Sequence, residues 1–537
     1  MPILTVKLRQ GEQRRIPFSA GSSLRDVLDA TEVRVRSGCR GMGTCGLCRV
    51  RIEVGNVDLP SFNERLLLDS DELEQGIRLA CQVRPEQDLR ILLLAPAPKS
   101  HWRSFPEKPE QTRGCDPVLP PVELAGHGAT PYGVAVDLGT THIRLSLFEL
   151  VGGKWLAGRY GLNPQVRYGS DVMTRLVAAA ESPVQAQDMS RQIVDAIGEA
   201  LFDLAVREGI DIRQVVRLAL VGNTAMLALL SSRNYQLLLH PKHWVSCVDC
   251  LPEKAGDWAG RMGIHPEASI ELLPPLAGFV GSDLLAGLLA TGLVESGAGS
   301  LFIDFGTNSE MALWDGREFW VTSAAGGPAF EECGISCGVP AEPGAIYRVR
   351  LDRGVFAYDV ISDTEPHGLC GSALVDLIAC LVRSGQLSGM GRFISPAPAE
   401  GFLLARGKRN IFLSKRDVDM FQRAKAAIGA GIQVLLGQAG METEGLRRIC
   451  VGGAFGRFLD IANAQEIGLL PEIPAERIEL CGNTALAGCA EVLLFKTAVG
   501  RLQALGTRAR LINLSRCPDF EGYFLENLFL RPIGKQG

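Results

Sequence analysis

Four cysteines near the amino terminus, Cys39, Cys45, Cys48 and Cys81, stand at the spacing C-x5-C-x2-C-x32-C. Gly38 just precedes the first and Gly41, Gly43 and Gly46 lie among the first three, so the backbone can curl until the thiols converge and amide N–H groups face inward. A [2Fe–2S] cluster asks for that arrangement. Four thiolates leave it anionic, and N–H groups aimed at its sulfurs offset the charge and help set its potential. A zinc site built from cysteines alone would show two C-x2-C knuckles, and only Cys45 to Cys48 has that form. The four cysteines are therefore read as ligands of an iron–sulfur cluster.

A second kind of chemistry is written twice further on. Val134-Ala-Val-Asp137-Leu-Gly139-Thr140-Thr141 and Leu301-Phe-Ile-Asp304-Phe-Gly306-Thr307-Asn308 each read as an apolar strand ending in aspartate, a glycine turn with a hydroxyl, and then a second strand. A phosphate is served by the turn's N–H groups and hydroxyl. An aspartate beside a phosphate makes sense when a cation such as Mg²⁺ stands between the two anions. Two such hairpins suggest two like lobes closing on one nucleotide, with Asp137 and Asp304 as the catalytic carboxylates. A third segment, Ile449-Cys-Val-Gly452-Gly453-Ala-Phe455, ends a strand in a glycine pair that lets backbone approach adenine, ribose or phosphate. No Gly-x4-Gly-Lys-Ser/Thr loop is present, which excludes a P-loop enzyme.

Two other sets of residues carry weaker signals. The turn-rich stretch from Ser323 to Glu332 holds Glu331, for which a solvated loop carboxylate is the plainer reading and positioning of water or Mg²⁺ the sharper one. His240, His243, Cys247 and Cys250 could hold zinc, but the two pairs lack the usual separation, and surface histidines with buried cysteines are the competing reading.

The elements that must position these groups follow from pattern. Residues 3 to 9 and 14 to 18 read as paired strands, and Ser22 or Ser23 as the cap of a short helix. Proline-rich sequence from about Ala95 to Thr130 reads as an extended, partly stiff tether that lets the cluster reach more than one position. Helical period returns over Asp171 to Ala180 and Gln185 to Glu208, and Val215 to Val221 reads as a buried strand. The words Gly222-Asn223-Thr224-Ala225 and Gly482-Asn483-Thr484-Ala485 each open an apolar helix. Small residues, Gly287 on one helix and Ala485, Gly488 and Ala490 on another, would let two helices pack closely at a hinge or in an ordinary core. At 537 residues the chain exceeds one hydrophobic core. Its 46% apolar and 21% charged composition is that of a folded protein, and a net charge of −5 argues against nucleic-acid binding. With neither signal sequence nor long apolar run, secretion and membrane attachment are not expected, and the 15 cysteines read as reduced thiols of a cytoplasmic protein.

The cysteine stretch, including Leu79-Ala80-Cys81-Gln82, closely resembles the [2Fe–2S] ferredoxins, with the five-residue first gap of adrenodoxin-type members. The two hairpins and the Gly-Gly segment resemble the actin, hexokinase and Hsp70 superfamily of ATPases. That resemblance implies a first phosphate loop of Asp137, Gly139, Thr140 and Thr141, and a second of Asp304, Gly306, Thr307 and Asn308. It also implies adenosine contacts from Gly452, Gly453 and the neighbouring Phe455. The whole order, with the Gly326-Gly-Pro-Ala-Phe-Glu331 loop and Cys517-Pro518-x-Phe520-x3-Phe524, resembles the reductive activators of corrinoid proteins. The resemblance implies an α/β multidomain chain: a β-grasp ferredoxin domain over 1–96, a linker over 97–130, ATPase lobes over 131–300 and 301–482, and a return of 483–537 to the first lobe. It further implies ATP and Mg²⁺ as cofactors beside the cluster, one-electron reduction of Co(II) to Co(I) on a separate corrinoid protein, an upstream electron donor and a homodimer. Ser323 is then a candidate oxygen ligand or hydrogen-bond donor near cobalt. The interval between cluster and first hairpin is short, leaving little room there for an additional middle domain. Competing readings are an ATP-gated reductase of another low-potential metalloprotein and a small-molecule kinase with an appended redox module.

Overall fold

Leu4 and Val6 face inward from Ile3–Lys7, and Leu89, Ile91 and Leu93 from Leu89–Leu93, so these two strands share one buried face. They lie parallel at the centre of a five-stranded sheet ordered Gln13–Pro17, Ile3–Lys7, Leu89–Leu93, Arg49–Val54, Ile77–Leu79, whose other pairings are antiparallel. Helix Leu24–Asp29, with the Ser23 hydroxyl accepting from the Asp26 N–H at 3.2 Å, lays Leu24 and Leu28 on that face. This is the expected β-grasp module. The computed structural model describes residues 2–8, 12–29, 31, 33, 35, 41, 43, 46, 48–94, 102–104, 116, 130–169, 171–306, 308–324, 335–339, 341–394, 401–406, 410–453, 455 and 458–534.

Within the proline-rich stretch, Trp102, Arg103, Ser104 and Asp116 are described and touch the lobes. Trp102 is buried in the first-lobe core, and a Cβ on Gly161 would lie 2.7 Å from its ring. Arg103–Ser104 adds an antiparallel edge to Lys154–Leu162, and Arg103 pairs with Glu342. Asp116 accepts from the Thr497 N–H at 3.0 Å and hydroxyl at 2.9 Å. A large aromatic ring and a carboxylate thus anchor these described residues.

Beyond it the same sheet is built twice. The first is ordered Ser269–Leu272, Val215–Gly222, Tyr132–Leu138, His142–Glu149, Lys154–Leu162, then Arg103–Ser104. The second is ordered Ile478–Gly482, Arg448–Gly453, Ser300–Phe305, Ser309–Trp314, Phe319–Ala324, then Ala509–Leu511. In each, a three-stranded antiparallel meander continues into two parallel strands, so both Asp-x-Gly hairpins leave the sheet at equivalent corners. Strand Val215–Gly222 of the first sheet and strand Ile478–Gly482 of the second end in the repeated Gly-Asn words. There Asn223 and Asn483 cap the next helix by accepting from Met226 N–H (3.0 Å) and Leu486 N–H (2.8 Å).

Helices Ser282–Thr291 and Thr484–Leu494 lie between the sheets and share one core with Ala135, Ala219, Phe302 and Ala312. Their crossing is set by small residues: a Cβ on Gly488 would stand 1.9 Å from the Ala286 carbonyl oxygen, and one on Gly287 would stand 2.7 Å from the Phe302 ring. The stretch expected to return to the first lobe divides. Thr484–Leu494 rests on the first sheet, with the Cys489 thiol donating to Ala219 O at 3.3 Å. Ala509–Leu511 instead joins the second sheet, and Phe520–Asn527 packs on Lys415–Ala439, where Lys425 and Gln422 donate to the carbonyls of Phe529 (2.9 Å) and Leu528 (2.7 Å).

Gly488→Val should therefore push the two interlobe helices apart and cost about 1–3 kcal/mol or more, read as a lowered midpoint of thermal unfolding. Gly500→Ala, in a neighbouring helix where the new Cβ meets nothing within 4 Å, should leave stability unchanged or raise it by up to about 1 kcal/mol. Equal effects from the two substitutions would refute the close-packing account.

Candidate nucleotide and cluster sites

The cluster loop is visible through its frame. Cys48 and Cys81 are buried with their sulfurs 3.5 Å apart and form no disulfide, and the Gln82 amide reaches Cys81 Sγ (3.6 Å) and Gly41 O (3.4 Å). Gly41, Gly43 and Gly46 all adopt positive φ, the curled backbone the spacing calls for. Cys39 and Cys45 lie outside the described residues. The two described thiols, reduced, adjacent and screened from water, fit an iron–sulfur centre.

Behind the loop, Glu64 is wholly buried and receives Arg78 through Nε and Nη2 (both 2.8 Å), the Leu79 N–H (2.9 Å) and the Ser61 N–H (2.9 Å). Burial pushes the Glu64 carboxyl up, but these donors, Arg78 foremost, more than offset it and hold the group below the ordinary glutamate range. The pair fastens helix Phe62–Leu67 to the strand that delivers Cys81.

In the cleft between lobes, the first hairpin is tight: Gly139 N–H donates to His142 O at 3.0 Å, and a Cβ on Gly139 would lie 2.6 Å from that oxygen. Three helix N-termini converge on this hairpin. The Asn223 amide donates to Thr140 Oγ1 at 2.9 Å, the Asn483 amide donates to Asp137 Oδ2 at 2.8 Å, and Asp283 in the first turn of Ser282–Thr291 feels the Asp137 charge. Helix N-termini carry free N–H groups and positive dipole ends, and so favour phosphate.

The second hairpin brings its own carboxylates. Glu310 faces Asp304 across the paired strands and Ser323 on the next, with the Ser323 hydroxyl donating to Glu310 Oε1 at 3.3 Å. At the matching place in the first lobe, Asp137 faces Arg144 instead, whose guanidinium is 3.8 Å away. Asp283 is pushed up to about 7, chiefly by burial and then by Asp137. Glu310 is pushed well above the glutamate range by burial first, then by Asp283 and Asp304. Gly453, at φ +84°, sits where a Cβ would meet Asp304 Oδ1 at 2.3 Å, so only glycine brings backbone this close to the carboxylate. Carboxylates of both lobes thus line the cleft and feel one another's charge, which a hard divalent cation such as Mg²⁺ arriving with phosphate would offset.

The structure gathers Asp137, Gly139, Thr140, Asp304, Gly453 and Ser323 around this cleft. Thr141 and Asn308 lie in the tips of the first and second hairpins, with Gly306 also in the second. Phe455 differs from expectation: its ring is buried in the second-lobe core against Phe305 (centroids 4.8 Å apart, 73° between planes), because an apolar ring gains more there than beside a polar ligand. Thr307 and Glu331 lie outside the described residues. Of the zinc alternative, His240 and Cys247 are exposed while Cys250 is buried and donates to Thr224 O at 3.7 Å; the four do not gather. Sequence reasoning missed Asp283, Glu310, Asn223 and Asn483 as site residues. The repeated Gly-Asn-Thr-Ala word was the available signal for the asparagines, and a charged Glu310 inside a buried strand was the signal for the second carboxylate.

Fold and cleft together define a two-lobed, nucleotide-binding α/β protein that carries its own iron–sulfur module. Family models agree along the chain: a 2Fe-2S iron-sulfur cluster binding domain over residues 8–86, the RACo middle region over 132–296, and the C-terminal domain of RACo, the ASKHA domain, over 298–536. The chain is 32% identical over 426 residues to the corrinoid activation enzyme RamQ of Eubacterium limosum, covering 74% of this chain and 70% of that one. It is 28% identical over 398 residues to a [Co(II) methylated amine-specific corrinoid protein] reductase of Methanosarcina barkeri, covering 68% and 70%. A solved reductive activator for corrinoid, iron-sulfur protein superposes over 98% of both chains with a TM-score of 0.71 at 26% identity. The chain belongs to the family of reductive activators of corrinoid proteins. The middle region for which the linker left no room is the first lobe itself.

Two outcomes follow from the geometry. Glu64→Gln strands the Arg78 guanidinium in the interior and should cost the ferredoxin module about 3–5 kcal/mol, read as faster thermal loss of the visible cluster absorbance with ATP hydrolysis unchanged. For Asp283, the folded state holds a proton whose stabilising effect is complete below the ordinary aspartate pKa of 3.8 and lost as pH rises through about 7. A cation must displace that proton, so Mg-ATP binding should tighten about tenfold between pH 6 and 8 relative to Asp283→Asn, which lacks the step. The ratio between the two proteins is the quantity to measure, since ATP's own titration cancels; a flat ratio would exclude Asp283 from the cation site.

Proposed function

We propose that this chain is an ATP-dependent reductive activator of a corrinoid protein, passing one electron from its [2Fe–2S] module to an inactive Co(II) corrinoid to regenerate Co(I) for methyl transfer. The observation that carries this reading is the meeting of Asp137 and Asp283 from the first lobe with Asp304 and Glu310 from the second in one cleft, on a chain that also holds a cluster loop. Carboxylates divided between two lobes repel until a cation arrives, so Mg-ATP would favour the closed lobes and convert nucleotide binding into motion. Gly139, Thr140, Thr141, Gly306, Thr307 and Asn308 would receive phosphate, Asp137 and Asp304 would hold Mg²⁺ and orient water, and Gly452 and Gly453 would admit the adenosine. Cys39, Cys45, Cys48 and Cys81 would hold the cluster, which when bound supplies a low-potential electron.

The corrinoid target and the relatives' activities support this choice over a kinase. An electron driven uphill costs about 1.4 kcal/mol per 60 mV, so a deficit of about 0.1–0.2 V lies within what nucleotide-driven closure supplies. An upstream donor recharges the module, the chain works as a homodimer in the cytoplasm, and residues 97–130 join the module to the lobes. Among the described residues no helix is long and apolar enough to cross a membrane.

Reduced protein with Mg-ATP should convert a Co(II) corrinoid protein to Co(I), followed as growth of the Co(I) absorption band. Cys45→Ser should still hydrolyse ATP but transfer no electron. Asp304→Asn should keep a reducible cluster and lose coupled transfer by at least about 100-fold, the scale of losing a group that stabilises transferring charge. Equal Co(I) formation without nucleotide would refute the coupling, and phosphorylation of a small substrate with no corrinoid response would favour a kinase.

A further inference from the structure

We propose that Cys450, Cys481 and Glu479 form a zinc site in the second lobe, separate from the cluster cysteines and from the carboxylates of the cleft. The two sulfurs and a Glu479 carboxylate oxygen all lie within 4.8 Å of one another, and no other His, Cys, Asp or Glu set among the described residues gathers in this way. A tetrahedral Zn²⁺, with Zn–S near about 2.3 Å and Zn–O near about 2.0–2.2 Å, draws such donors in by only about an ångström.

The convergence is a product of strand register. Cys450 pairs with Glu479 across the parallel strands Arg448–Gly453 and Ile478–Gly482. The register then slips, Val451 facing Leu480 but Gly452 facing Gly482, so Cys481 is the extra residue of a bulge. Both cysteines belong to the interlobe core, Cys450 fully buried and Cys481 nearly so, while Glu479 is half exposed and gives an ion its entrance. Neither thiol is in a disulfide.

Arg448 completes the set. It donates to both Glu479 oxygens, Nε to Oε1 at 2.8 Å and Nη2 to Oε2 at 2.6 Å, and to the Thr291 carbonyl at 3.1 Å. A carboxylate oxygen so held keeps a second lone pair for a metal, and its orientation is fixed in advance. Two thiolates and one carboxylate around Zn²⁺ leave one negative charge, which the guanidinium cancels. The ligand types, soft sulfur with one oxygen, select zinc over the magnesium of the cleft. The strands so clamped run directly into Gly452-Gly453 and into Asn483, whose amide holds Asp137; the metal therefore braces one wall of the nucleotide cleft.

The test uses anaerobically purified holoprotein with its cluster intact, stripped of loose metal and titrated with Zn²⁺ against a chromophoric chelator. One zinc should bind per chain with the cluster absorbance constant, and zinc-edge absorption should show two sulfur neighbours. Cys481→Ser should weaken binding by at least about 100-fold and Arg448→Gln, a positioning change, by about tenfold, with the far-ultraviolet circular dichroism and thermal midpoint of the whole chain as the check on folding. Equal zinc binding by the Cys450→Ser/Cys481→Ser protein would overturn the proposal. So would no binding by protein whose thiols titrate as free, zinc uptake at the expense of cluster absorbance, or a Cys450–Cys481 disulfide in the mass of the isolated chain.

Discussion

Mutual repulsion among Asp137, Asp283, Asp304 and Glu310 is the constraint on which the rest of the ATPase portion depends. Like charges repel most strongly where water is excluded, and burial adds its own penalty on each charge. Burial and these neighbours raise the proton affinities of Asp283 and Glu310. A divalent cation bound among them would offset the same charge. The layer between the sheets is two helices brought into close contact at Gly488 and Ala286.

The duplicated sheets are not equivalent in charge. Across the first, Asp137 is followed by Arg144 and then Tyr160; across the second, Asp304 is followed by Glu310 and then Ser323. The first-lobe aspartate is thus satisfied by protein, through Arg144 and Asn483, before any ligand binds. The matching row of the second lobe carries two acids and a hydroxyl where the first carries a guanidinium. One hairpin's aspartate is thus already paired with protein donors, while the other's row is acidic.

What could be read in the chain beforehand was whatever a short window encodes. The four cysteines, both Asp-x-Gly hairpins and the Gly-Gly strand end are contiguous motifs, and the strands and helices carrying them fall within a residue or two of their sequence limits. Asp283 and Glu310 were hidden because their role depends on which face of a sheet and which end of a helix they occupy. Phe455 was misplaced because a ring beside a glycine pair looks the same in sequence whether it turns to a ligand or to Phe305. Trp102 and Asp116 lay in proline-rich sequence whose docking partners, Gly161 and Thr497, are remote along the chain. Cys450 and Cys481 meet only because one strand carries an extra residue.

Trp102 also decides how an electron carrier on a leash behaves. The ferredoxin sheet ends at Leu93, and the first-lobe core takes hold again at Trp102. Nine residue steps at about 3.3–3.6 Å each give a reach of at most about 30 Å, however the intervening residues are arranged. A module confined to so small a volume meets the surface of the lobes at an effective concentration in the millimolar range. A contact between module and lobes can therefore be weak and fast-exchanging and still be occupied, so the module can dock and release without leaving the chain it serves.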